Sequence, residues 1–163
     1  MRALPLFLAA ALATSSAQAQ TTSAELKNGT GEIVGKVSLT AAPKGVLARV
    51  EAKGLTPGWH GLHFHEKADC SKADFTSAGG HTHGTDDRLH GLLNPKANET
   101  GDLPNLYVDG QGMGATEVFS SLITMAALRD ADGSAVVIHA NADDHLTQPI
   151  GGAGPRVACA EVK

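Results

Sequence analysis

The chain has 163 residues, 42% apolar and 18% charged, with 19 Gly, eight His and two Cys. That length fits one domain, and the composition excludes a disordered chain and a cysteine-rich mini-protein. Thirteen Lys and Arg against seventeen Asp and Glu give a net charge of −4, so the general basic surface needed for nucleic acid is missing.

Residues 1–19 read as a secretory signal peptide: a basic start at Arg2, an apolar run from Ala3 to Ala13, and a small-residue end at Ala17-Gln18-Ala19. The run is too short to span a bilayer, and no later stretch is long enough, so no membrane span is expected. Cleavage after Ala19 leaves 20–163 as one domain of 144 residues; without Arg2, twelve basic against seventeen acidic residues give −5. Export, to the periplasm or outside the cell, permits a disulfide between Cys70 and Cys159, with two separate buried thiols as the alternative.

Gln20 to Thr30 is polar and reads as a lead-in. Strands are expected over 32–39 and 46–52, joined by the turn Ala41-Ala-Pro-Lys-Gly45. In the second, Val46, Ala48, Val50 and Ala52 share one face and Arg49 and Glu51 the other, the period of a half-buried strand. A third strand is expected over 59–66. From Lys67 to Leu103 the chain is rich in Gly, Asp, Asn and Pro, and so long a connection in a compact domain is expected to be functional or tied down. Strand patterns return over 106–108, 115–119, 122–128 and 135–139, then after a loop from Ala140 to Pro155 over 157–162. Short strands between Gly and Asp turns, with no amphipathic helix, predict an all-β antiparallel sandwich or barrel.

Five of the eight histidines fall within 24 positions, His60, His63, His65, His81 and His83, and clustered imidazoles raise the possibility of a metal. On a strand, His63 and His65 project to one side while Leu62 and Phe64 point to the other, so one face can bind a metal as the other fills the core. Two exposed imidazoles would give the same His-x-His pattern. His60 falls on the Leu62 side and is expected to be a buried, hydrogen-bonded structural residue. His81, His83, His90, Glu99 and Asp102 lie along the irregular stretch, a mixture of N and O donors that suits zinc. His139 ends a strand and is followed by Asp143 and Asp144; Arg156 closes the Gly-rich Gly151-Gly-Ala-Gly-Pro-Arg156.

Trp59-His-Gly-Leu-His-Phe-His-Glu66, Asp74-Phe-Thr-Ser-Ala-Gly-Gly-His81, His90-Gly-Leu-Leu-Asn-Pro95, Gly101-Asp-Leu-Pro-Asn-Leu106, Val137-Ile-His139, Ala142-Asp-Asp144 and Gly151 to Cys159 occur in this order. With these stretches the sequence resembles the copper/zinc superoxide dismutase family, in its bacterial exported branch, over nearly all of the mature chain. The resemblance implies an eight-stranded Greek-key β-barrel with long metal-binding and electrostatic loops. It implies copper on His63, His65, His81 and His139, and zinc on His81, His90 and Asp102. Asp143 would join a copper histidine to a zinc histidine, and the bridge Cys70 to Cys159 would tie the metal loop to the last strand.

The reaction implied is two half-steps on superoxide, giving dioxygen and then hydrogen peroxide, with one proton from His81 and with Arg156 attracting the anion. The alternative is a dismutase-like copper carrier with little turnover; monomer and homodimer both remain open. One departure concerns zinc: where the family has a further histidine, three positions before the zinc aspartate, this chain has Glu99. Glu99 as an oxygen ligand, His83 as a replacement nitrogen, and a weak or absent zinc site are the three readings of that change.

Overall fold

The computed structural model describes residues 20–163 apart from Asp86; the expected signal peptide lies outside the described residues. Nine antiparallel strands form one sheet: β1 Thr21–Asn28, β2 Ile33–Ala42, β3 Gly45–Lys53, β4 Gly58–His60, β5 Leu62–His65, β6 Leu106–Val108, β7 Met113–Ser120, β8 Ser134–His139 and β9 Arg156–Val162. Their order is β4-β6-β7-β3-β2-β1-β9-β8-β5. The two end strands are neighbours in the chain, separated only by Gly61, so the sheet's edges meet there and the barrel is nearly closed.

The count of nine against the expected eight has three causes. The stretch 59–66 divides at Gly61, whose N–H donates to Asn141 O and whose carbonyl accepts from His139 N–H, both outside the β4–β6 ladder. The stretch 122–128 is not a strand: the Thr124 hydroxyl caps a single helical turn, α1 Met125–Leu128, by accepting from Ala127 N–H at 3.2 Å. That turn buries Met125 and Leu128, three apart on one face. The polar lead-in is a strand. Thr22, Ala24 and Leu26 turn inward while Thr21, Ser23, Glu25 and Lys27 are exposed, so the period is two although only Leu26 is a large apolar residue.

Leu26 is fully buried among Leu39, Val50, Phe64 and Ile138 in the main core. Leu26→Ala should therefore cost about 2–5 kcal/mol by the usual cavity penalty, measured as a lowered urea midpoint; a change within a few tenths of a kcal/mol would place 20–30 outside the folded barrel. A smaller cluster, Phe75, Ala78, Ala135, Val137 and Cys159, seats the first part of the long loop on β8 and β9. The disulfide Cys70–Cys159 lies beside it.

Candidate metal centre

β5 is an end strand, so its free edge needs hydrogen-bond partners. The long loop supplies them: Phe64 N–H donates to Gly101 O at 2.9 Å, and Phe64 O accepts from Thr82 N–H at 2.9 Å. A Cβ on Gly101 would lie 2.3 Å from Phe64 O, so only glycine permits this approach. The loop thus runs His63 against Asp102, His65 against His81, and His83 against Glu99 in short antiparallel bridges. Residues far apart in sequence reach one place because the loop completes the sheet. His139, at the end of β8, enters from the other side, its N–H held by Gly61 O at 2.9 Å.

Leu62 and Phe64 face the core and His63 and His65 face the loop, all four buried. Ligand atoms of His63, His65, His81 and His139 lie within 4.8 Å of one another, and so do those of His63, His81, His90 and Asp102. Each ring's outer hydrogen bond settles which nitrogen is left for a metal. His65 Nδ1 donates to Gly79 O at 3.0 Å and His139 Nδ1 to Gly154 O at 2.9 Å, which bares both Nε2 atoms; these are 3.4 Å apart. His63 does the reverse, donating from Nε2 to Asp143 Oδ2 at 2.7 Å and leaving Nδ1 buried without a partner. His81 Nε2 is likewise buried and unpartnered. Four nitrogen lone pairs facing one space, two of them orphaned, fit copper, whose Cu(II) state prefers nitrogen-rich tetragonal sites.

The other nitrogen of His81 looks into a second group. Its Nδ1 is 2.8 Å from Glu99 Oε2 and 3.3 Å from Asp102 Oδ1, and His90 Nδ1 is 3.0 Å and 2.9 Å from the same two oxygens. His90 donates from Nε2 to Asp143 Oδ1 at 3.0 Å, so neutral His90 would set a bare Nδ1 lone pair against two carboxylate oxygens. A cation between them removes that repulsion. Four donors of this kind, two N and two O, fit zinc, whose tetrahedral sites place donors about 3.3 Å apart. His83 is not among them: its Nε2 lies 2.9 Å from Glu66 Oε1 and its Nδ1 2.6 Å from Thr85 O. Of the two residues named for the missing donor, the fold brings Glu99 to the group and turns His83 away.

Asp143 links the groups, one oxygen on His63 and the other on His90. Asn105 holds it, accepting from Asp143 N–H at 2.9 Å and donating to Asp143 O at 2.8 Å. Gly151 leaves room for the carboxylate, since a Cβ there would lie only 1.6 Å from Asp143 Oδ1. Sequence reading missed Asn105; its only signal was its place in the Gly101-to-Leu106 stretch. His60 is buried, its ring nitrogens 2.6 Å from His139 O and 2.8 Å from Thr56 O, a strut behind the site.

Arg156 is half-buried, its Nη1 and Nη2 donating at 2.5 Å to Phe75 O and Gly79 O. With His65, His81 and His139 it lines a channel of about 420 Å³.

Residues 33–162 match the family described as copper/zinc superoxide dismutase. The chain belongs to the copper/zinc superoxide dismutase family. It is 55% identical over 146 residues to a Cu-Zn superoxide dismutase of Caulobacter vibrioides, covering 86% of this chain and 84% of that one. It is 38% identical over 146 residues to a Cu-Zn superoxide dismutase of Aquifex aeolicus, covering 86% and 85%. Among solved structures, a SOD-like protein from Bacillus subtilis superimposes with a TM-score of 0.77 at 34% identity, covering 86% of this chain and 97% of that one. The Cu/Zn superoxide dismutase of Brucella abortus does so with 0.74 at 28% identity, covering 88% and 100%. The all-β barrel is the family's fold, and copper and zinc are the family's metals.

In the four-histidine group burial pushes His63 down to about 3 and His139 down to about 4, and lowers His65 well below its ordinary value, which favours the neutral rings that a metal needs. On the other side burial also opposes charge, but hydrogen bonds to Asp102, Asp143 and Glu99 outweigh it and hold His90 up at about 11; His81 is raised in the same way by Asp102 and Glu99.

The consequence for stability follows from linkage. His63 and His139 have folded values below their unfolded one, so their contribution is present above pH 6.5 and is lost as pH falls towards 3. His90 is raised, so its contribution is present below pH 6.5 and is lost as pH rises through about 11. The urea midpoint of the metal-free protein should fall steadily between pH 6.5 and pH 4; a flat profile there would contradict burial of neutral imidazoles.

Proposed function

We propose that this chain is an exported superoxide dismutase, with 1–19 a leader and 20–163 the working domain. His63 Nδ1, His65 Nε2, His81 Nε2 and His139 Nε2 would hold copper. His81 Nδ1, His90 Nδ1, Asp102 and Glu99 would hold zinc, the Glu99 carboxylate replacing the family's further histidine. The observation that carries this is the single imidazole of His81, which presents an unpartnered Nε2 to three bare histidine nitrogens and its Nδ1 to two carboxylates. The leader with its basic start and the disulfide support export, the periplasm being the favoured compartment.

Copper held by these four histidines would supply the one-electron couple that dismutation of superoxide needs. The chain does the rest. Arg156, fixed by two carbonyls, draws the anion to the open side of the histidines. Asp143 and the carbonyls of Gly79 and Gly154 lock the tautomers, so no ring must flip during turnover. His81 Nε2, buried and otherwise unpartnered, is the atom placed to hold a proton for the peroxide product. A carrier would have no use for an anion-guiding arginine in the channel, which favours the enzyme.

The test is superoxide decay by copper-loaded protein, with and without zinc, together with a chelator challenge. Turnover far above free copper, with copper retained, is expected; ready surrender of copper without turnover would establish the carrier instead. Glu99→Ala should lower zinc affinity at least tenfold, by loss of a ligand, while Glu99→His restores it, both read by zinc competition. Unchanged zinc affinity in Glu99→Ala would remove Glu99 from the site.

A further inference from the structure

The channel over the copper histidines contains a second guanidinium. Arg88, from the stretch between His83 and His90, lines it together with Arg156, His65, His81 and His139. Its side chain is 48% exposed, and its Nη2 lies 2.8 Å from Glu66 Oε1. Room for it comes from missing side chains. A Cβ on Gly80 would lie 2.7 Å from Arg88 Nη1, and one on Gly79 would lie 2.5 Å from Glu66 Oε2. Gly79 O is also one of the two carbonyls that anchor Arg156. Both guanidinium groups therefore flank the same Gly-Gly dipeptide, which leads directly into His81.

Two carboxylates line the channel with the arginines, exposed Asp74 and the buried Glu99 beside the second metal group, and Glu66, the partner of Arg88, is not one of them. Its carboxylate lines the neighbouring groove, which Arg88 also borders, but not the channel itself. It is further occupied by Gly80 N–H at 2.8 Å and His83 Nε2 at 2.9 Å. The pair is a dipole with its positive end towards the channel. The opposite wall comes from Pro149, Ile150, Gly154 and Pro155, and the whole loop 140–155 contains no Lys or Arg. Any cation at the rim beyond Arg156 must come from the other loop, and Arg88 is the one that lines the channel.

We infer that Arg88, held in place by Glu66, is a second anion-attracting residue of this channel and works with Arg156 on incoming superoxide. The inference rests on the dismutase reading of the site. In a working domain of net charge −5, twelve basic against seventeen acidic residues, a local cation raises the rate at which a small anion reaches the channel, and salt screens that advantage.

The test compares the copper- and zinc-loaded parent with Arg88→Gln and Arg88→Lys, with metal content measured for each. The readouts are kcat/KM against ionic strength and the affinity for azide, followed through the copper visible band. In Arg88→Gln, kcat/KM should fall about three- to tenfold at low salt, within the range that electrostatic steering provides. Its salt dependence should flatten and its azide affinity should drop in parallel, with Arg88→Lys recovering most of both. A parental salt slope and azide affinity in Arg88→Gln would overturn the inference. Equal loss in both variants, with zinc content lowered, would also overturn it, by giving Arg88 a purely structural role in the loop. If the parent shows no dismutase activity the dismutase reading fails, and the azide comparison still decides whether Arg88 attracts anions.

Discussion

In His139→Ala, superoxide decay should fall to the background of free copper. His139 contributes one of the four bare nitrogens, at the open end of the cluster beside Arg156. Its ring is fixed by Gly154 O, and no other described side chain is placed to take over its Nε2. The main chain keeps its bond to Gly61 O whatever the side chain, so the barrel persists. Copper titration by electron paramagnetic resonance should show a weaker site with fewer nitrogen couplings. A second readout separates loss of the site from misfolding: without one neutral buried imidazole, the metal-free variant should lose less stability between pH 6.5 and 4 than the parent. Near-parental activity in the variant would remove His139 from the copper set.

The second large effect is on stability. Cys70 and Cys159 are 89 positions apart, and closing a loop of that size restricts the unfolded chain by about 4–5 kcal/mol in the chain-entropy account. Replacing both with serine should lower the unfolding free energy by roughly that amount, read as a displaced urea midpoint of the metal-free protein. Function should suffer as well. Arg156 lies three residues before Cys159 and is held by Phe75 and Gly79, on the loop segment that Cys70 pins down. Loosening that segment frees the guanidinium, so kcat/KM should fall even in fully metal-loaded protein. A double variant with parental stability would mean that the loop is held by the Phe75 cluster alone.

Much of this architecture was legible in the sequence, and the failures have physical causes. β3 was readable because Val46, Ala48, Val50 and Ala52 alternate with exposed residues, and β5 because two histidines and two large apolar residues occupy opposite faces. β1 was hidden because its inward positions are Thr22, Ala24 and Leu26, with one strong apolar residue among them. The stretch 122–128 misled because an apolar run fits strand and helix alike, and Thr124 as a cap decides the matter only when its hydroxyl reaches Ala127 N–H.

At the site, register put only His63 and His65 on one side of a strand; His81 and His139 could be grouped with them only through the resemblance to the family. The donor next to zinc could not be named, because Glu99 and His83 occupy facing positions of one loop bridge and only side-chain direction separates them. Arg88 carried no signal, and Glu66 none beyond its place at the end of the Trp59-to-Glu66 stretch. Their roles depend on the space above Gly79 and Gly80, which exists only once the loop has folded back along β5.

The most direct measurement is a copper titration of zinc-loaded protein in which bound copper and superoxide decay are followed together. The account predicts that both rise in proportion and saturate at the same point, one copper per chain, with a rate far above that of free copper. A site that fills to one copper while superoxide decay stays at the free-copper level would contradict it.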